Sequence, residues 1–227
     1  MADRFLSGRL PAEPELADLL HVSRTTLRTA LQRLEQAGLL SRAPARGTLV
    51  RPGTQRDTLA LQRLVGFREL LEENGHSVRT EVEWKKQTAP DPRSQDALQL
   101  TGDEPMLRSS KTFFADERPA IFIWDELPLA VLEQSVAAQM GGRRRPDIPD
   151  SIFEFSHTWP GRQIHHSVVG IEPAVARGGE PANLRLPSGY PYIVLSEVHH
   201  AQDGTPVAYS HVQIDDRFLR FRIVRHQ

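Results

Sequence analysis

The sequence contains no cysteine. That excludes a disulfide framework, a thiol nucleophile and any metal site built on thiolates, and it fits a reducing compartment without requiring one. Long hydrophobic runs are missing as well, since no stretch approaches the roughly 18 consecutive apolar residues that a membrane-spanning helix needs. The opening residues MADRFLSGRLP lack the basic-then-apolar order of a signal peptide, so a cytoplasmic location without membrane association is expected. Net charge is nearly absent too, at −1 over 227 residues. The small total hides an asymmetry: residues 1–56 carry nine arginines against five acids, a net of +4 that leaves −5 for the rest. A basic segment joined to a larger acidic one points to a polyanion-binding head on a body with another task. The apolar fraction of 39% supports real cores, and the length suits a small domain plus a medium one.

In the stretch ELADLLHVSRTTLRTALQRLEQAGLL, Leu16, Leu19 and Leu20 share one face of a short helix that has Pro14 in its first turn. His21, Val22 and Ser23 interrupt it. Ser23 is placed as an N-cap, and Leu27, Ala30, Leu31 and Leu34 follow at helical spacing up to Gly38, a natural stop. Two helices joined by so short a turn must cross steeply. The next residues, LLSRAPARGTLV, read as a β-hairpin with a basic tip, a wing. A lone Ser-Arg-Thr-Thr reads as a solvated helix cap. Joined to the wing, the short turn and the local positive charge, Ser23, Arg24, Thr25, Thr26 and Arg28 read as the DNA-facing turns of a recognition helix.

Residues 52–60 have the composition of a linker, dividing a head (1–51) from a body (61–227). The body contains an internal repeat. LQLTGDEPMLRSSKTFFADERPAIF, from Leu98, matches LRLPSGYPYIVLSEVHHAQDGTPVAY, from Leu184: Pro105 and Pro191 correspond, Lys111 and Glu197 lie six residues beyond them, and Asp116-x-x-Pro119 and Asp203-x-x-Pro206 mark hairpin turns. Upstream of each hairpin the pattern predicts a helix (61–74; 151–157), a glycine, a strand (78–87; 162–172) and a helix beginning near Pro92 or Pro173. The fold class is therefore α+β, with a mostly antiparallel sheet built from two pseudo-repeats and one face under helices. Pockets commonly form where such halves meet.

These residues resemble the GntR family of bacterial transcription regulators, in its HutC subfamily. The first fifty residues are similar to its winged helix-turn-helix motif, and the stretch from LVGFRELLEENGHSV to YSHVQIDDRFLRF resembles the UTRA effector domain, which has a chorismate-lyase-like fold. The resemblance implies a homodimer that binds a two-fold symmetric DNA operator and responds to a small-molecule effector, most simply as a repressor. It places DNA contacts at Arg24, Thr25 and Arg28 on the recognition helix and at Arg46, Gly47 and Thr48 on the wing. Pro14 stands where the family usually has an arginine. Only Met1–Gly8 occupy the place of the family's full first helix and loop, so a shortened head is expected.

The resemblance also implies an effector site made of Ser151, Phe153 and Glu154, of Arg108 and Lys111 on the first hairpin with Ile123 on its second strand, and of Glu197 and Tyr209 on the last hairpin. Ser151 precedes a helix and serves equally as a plain N-cap or as a hydroxyl for a polar ligand atom. Ile123 stands where the family's sugar-phosphate binders carry an acid, so the expected effector is more apolar than a sugar phosphate, with at most one anionic group for Lys111 or Arg108. A structural ion pair between Lys111 and Glu197 is an equal alternative. No cofactor or metal is expected: histidines 165, 166, 199, 200 and 211 lie on strands, where adjacent residues face opposite ways. GGRRRPDIPD, residues 141–150, reads as a basic loop between the repeats. Two other readings compete: an effector-binding body with an impaired head, and a lyase-like enzyme of the same fold. Against the enzyme, no nucleophile-base constellation or phosphate-cradling glycine loop is present.

Overall fold

The structure, a computed structural model, describes residues 8–36, 40–43, 47–50, 64–87, 89–102, 104–132, 149–177, 182–219 and 221. The chain divides into two compact units, Met1–Arg63 together with Phe221–Gln227, and Leu64–Arg220. The linker expected at 52–60 and most of the basic loop at 141–150 lie outside the described residues.

In the first unit, helix α1 spans Glu13–Leu19 and helix α2 spans Arg24–Gln36. Pro14 sits in the first turn of α1, where its missing N–H costs nothing. The chain turns between the helices at His21, which adopts a left-handed φ of 53°. Leu16, Ala17, Leu27, Leu31 and Leu40 form the buried core, with Leu10, Leu19 and Val50 packed against it. Ala30 and Leu34 share the helical spacing but are exposed. Strands β1 (Leu40–Ala43) and β2 (Gly47–Val50) pair antiparallel as the wing. Gly8–Leu10 runs antiparallel beside β2 through a single bridge: the Val50 N–H donates to the Gly8 carbonyl at 2.7 Å and the Leu10 N–H to that of Thr48 at 2.9 Å.

The second unit is a six-stranded antiparallel sheet: β3 (Val78–Gln87), β4 (Met106–Ala115), β5 (Arg118–Pro128), β6 (His166–Val175), β7 (Pro191–His200) and β8 (Pro206–Ile214). The spatial order β3-β4-β5-β8-β7-β6 places the two repeats side by side, joined through β5 and β8. The tight turn between β4 and β5 puts Asp116 and Glu117 at φ of 49° and 63°, as a two-residue hairpin of matching twist requires.

Helices α3 (Phe67–Glu73) and α5 (Ile152–Ser156) belong to one face of the sheet. Helix α4 (Pro92–Ala97) belongs to the other: Ala97 and the adjoining Leu98 pack with Met106, Trp124 and Tyr209. Helices therefore cover both faces rather than one. A second correction concerns Pro173. No helix starts there; β6 runs through it to Val175, because β6 lies at the sheet's edge, where proline's missing N–H breaks no ladder. The helical element of that repeat is the short turn Ala182–Leu184.

Candidate functional site

In the head, Ser23 caps α2. Its Oγ accepts the Thr26 N–H at 3.1 Å and lies 2.7 Å from the Thr26 hydroxyl. Because the cap holds one of the free amide donors of the first turn, Ser23→Ala is expected to lower head stability by about 1 kcal/mol, measured by chemical denaturation. Leu27 and Leu31 are buried, while Ser23, Arg24, Thr25, Thr26, Arg28 and Thr29 of the same turns are exposed. Arg28 is already engaged: its Nε donates to Glu13 at 2.7 Å, and this hydrogen bond raises its pKa. Glu13→Gln should thus tighten DNA binding, since it releases Arg28 and removes an acid beside it; an operator titration of that variant checks this. Gly47 has φ +75°, and a side chain there would meet the Arg9 guanidinium at about 3.1 Å. Sequence spacing does not point to Arg9, because only its bridge to Leu49 of β2 brings it to the wing. Arg46 lies outside the described residues.

In the second unit, a cavity of about 20 Å³ lies between the sheet and the N-terminal ends of α3 and α5. That is room for a single water. Lys111, Ile123, Ser151, Phe153 and Glu197 all line it, joined by Gly66, Phe67, Phe113, Asp125, Asp150, Ile152, Ser210 and Val212. The pleat explains the selection: Lys111 and Phe113 on β4, Ile123 and Asp125 on β5, and Ser210 and Val212 on β8 each stand two apart and share a face. Arg108 and Tyr209 fall on the opposite face. Tyr209 packs there with Leu98 and Met106, and Arg108 lies over Trp124 while bonding Glu126 at 2.8 Å. Glu154 is exposed and does not line the cavity. Ser151 serves as the N-cap of α5, accepting the Glu154 N–H at 3.4 Å. A side chain on Gly66 would meet the Ser151 Cβ at 3.0 Å, and Arg68 of α3 bonds Asp150 at 2.9 Å. The two helix starts thereby form one continuous wall.

The cavity floor is a buried polar chain. Lys111 pairs with Asp125 at 2.7 Å, each about 2% exposed, so its ion pair lies within the first hairpin and not with Glu197, one of the two alternatives. Asp125 Oδ2 also accepts the Ser109 hydroxyl at 3.0 Å, and Oδ1 accepts the Ser210 hydroxyl at 2.5 Å. With its proton committed to Asp125, Ser210 must accept from His199 Nε2, 2.8 Å away. That leaves His199 Nδ1 to accept from Ser167 at 2.7 Å. Every donor points toward Asp125. Burial opposes the Asp125 charge, yet the Lys111 ammonium and these hydrogen bonds hold its carboxyl below the usual value. His199 is neutral because burial lowers its pKa to about 4. A serine that gives its proton to the aspartate, beside a histidine too weakly basic to take it, is not an activated nucleophile.

The pattern that defines the bacterial regulatory proteins of the gntR family matches residues 6–50, and that of the UTRA domain matches residues 73–216. This chain belongs to the GntR family. Its UTRA domain marks the HutC branch. The chain is 24% identical over 222 residues to the HTH-type transcriptional repressor NagR of Bacillus subtilis, covering 96% of this chain and 84% of NagR. Its fold is similar to that of a possible transcriptional regulator, YydK of Bacillus subtilis, at a TM-score of 0.70, 18% identity and coverage of 96% and 91%. PhnF of Mycobacterium smegmatis is similar at a TM-score of 0.60 and 22% identity, covering 99% and 97%. The GntR-family chain is thus a transcriptional regulator with a DNA-binding head and a UTRA domain. No helix among its described residues is long and apolar enough to cross a membrane.

Glu197 of this GntR-family chain has a distinct electrostatic position. It is 6% exposed, and its only neighbour at ion-pair range among the described residues is the neutral His199, at 3.8 Å. Burial, reinforced by the Asp125 charge, pushes its carboxyl up to about 8. A carboxyl raised in the folded state stays protonated there while the unfolded chain, near 4.5, has lost its proton. Its contribution to stability therefore falls as pH rises from about 4.5 to about 8. His199 acts the other way between about 4 and 6.5, where the unfolded chain binds the extra proton. Above pH 6.5 only Glu197 of the two still titrates. Wild type is expected to lose stability from pH 6.5 to 8 relative to Glu197→Gln, as seen in denaturation midpoints of the two chains across that range.

Proposed function

We propose that this chain is an effector-controlled repressor. Two copies bind a two-fold symmetric operator through the 1–51 heads, and residues 61–227 form the dimerising effector domain whose cavity under α3 and α5 receives a small molecule. Such a protein works in the cytoplasm, where its DNA is. The observation that carries the reading is the convergence of Lys111, Ile123, Ser151, Phe153 and Glu197, from three separate stretches of sequence, on one cavity beside the seam of the two repeats. The lining is largely apolar, and Lys111 and Arg108 already hold carboxylates, which supports an effector more apolar than a sugar phosphate. The identity to the repressor NagR supports the sign of regulation.

The cavity in this form accepts one water, so occupancy by anything larger requires the wall at Gly66–Phe67 and Ser151–Phe153 to withdraw. Gly66 begins three residues after the boundary of the two units, which makes that wall the natural place for ligand binding to reach the chain leading to the head. The effect is a linkage: the effector must prefer a dimer whose heads no longer match half-sites roughly 34 Å apart. The test is a thermal-shift screen of small molecules on the full chain, followed by operator titrations with the stabilising compounds. A cavity ligand is expected to change operator affinity about 5- to 150-fold, with the operator changing the ligand's affinity by the same factor. Ligands that occupy the cavity and leave operator affinity unchanged would refute the reading.

A further inference from the structure

The charged groups that line the cavity are three acids, Asp125, Asp150 and Glu197, and one cation, Lys111. Lys111 is committed to Asp125, and Asp150 is held by Arg68 at 2.8 Å. Glu197 is different: its carboxyl makes no hydrogen bond among the described residues, it lies 6% exposed in the cavity lining, and it meets only a neutral imidazole at ion-pair range. An anionic ligand here would find its only lysine already held by Asp125 and would press the Glu197 carboxyl to stay protonated. A cation would instead meet in Glu197 a carboxyl that no cation holds, with Phe67, Phe113 and Phe153 lining the same space.

We propose that the cavity takes a small organic cation, with an apolar body against Phe67, Phe113 and Phe153 and one ammonium group on the Glu197 carboxylate. The inference rests on the effector-site reading and names the chemistry of that site. Burial and the Asp125 charge both oppose ionisation of Glu197 and so favour its protonated form. Of the other titratable groups that face it, Lys111 and Asp125 offset one another, Asp150 is offset by Arg68, and His199 is uncharged. An entering ammonium ion therefore displaces the Glu197 proton to solvent, and the site keeps its net charge. No bond other than that to the proton is broken.

Phenethylammonium, phenethyl alcohol and hydrocinnamate share one apolar body and differ in the sign of the head group. Each is titrated calorimetrically into the full chain at neutral pH, in two buffers of different ionisation enthalpy. Phenethylammonium is expected to bind with release of about one proton, and the other two at least about tenfold more weakly. Glu197→Gln should remove both the preference and the proton release. If that variant does not fold, proton release by the unaltered chain decides alone. Tighter binding of hydrocinnamate, cation binding without proton release, or no binding of the cation would each overturn the inference. Repeating the titrations with operator present separates the two claims. A cation that binds with proton release but leaves operator affinity unchanged upholds the inference and refutes the effector reading. An operator response to hydrocinnamate alone does the reverse.

Discussion

Lys111→Met is expected to destabilise the Leu64–Arg220 unit by about 3–5 kcal/mol, because it strands the Asp125 charge in the interior. For a unit of this size that is a loss of about 10 °C in melting temperature, followed by calorimetry. The two side chains are each about 2% exposed and 2.7 Å apart, so neither recovers solvation when its partner goes. Asp125 would still accept from Ser109 and Ser210, and those bonds set the lower end of the range. The double variant Lys111→Met, Asp125→Asn removes both charges and keeps an acceptor for the serines. It should recover most of the loss, whereas independent contributions would make the two losses add. The pair sits on the cavity floor, so a chain that tolerates the double variant also reports how much of ligand binding needs charge at that point.

The second large effect belongs to the head. Arg24→Ala is expected to weaken operator binding by about 1–3 kcal/mol, with base specificity relaxed at the position it reads. Arg24 is the first residue of α2 and is exposed, one turn before the buried Leu27. Arg28, one turn further on, is bound to Glu13 and must exchange that partner for DNA. Arg28→Ala should therefore cost less than Arg24→Ala, an ordering that spacing along the helix alone would not give.

The architecture was legible because its signals are local. The helical spacing of Leu27 and Leu31, the Ser23 cap and the two hairpin turns each specify their element within a few residues, and the repeat then dictates a symmetric sheet. Where local signals met sheet context they gave way. Pro173 reads as the start of a helix, yet an edge strand tolerates it. For the candidate site, parity along a strand carried much of the answer: Arg108 and Lys111 stand three apart and face opposite ways, while Asp125, two residues from Ile123, shares its face. Register between strands was not legible. The partners of Tyr209, Lys111 and Arg9 depend on which strand lies beside each of them, and that is decided by packing distant in sequence.

Regulation by this chain requires the head to hold DNA through α2. The most direct measurement is a fluorescence-anisotropy titration of the full chain against the DNA upstream of its own coding region, at two salt concentrations, beside Arg24→Ala. Saturable binding is expected that weakens steeply with salt, exceeds binding to a scrambled duplex, and is weakened about tenfold or more in the variant. Equal affinity for the scrambled duplex, or an Arg24→Ala chain that binds as the wild type does, would contradict it.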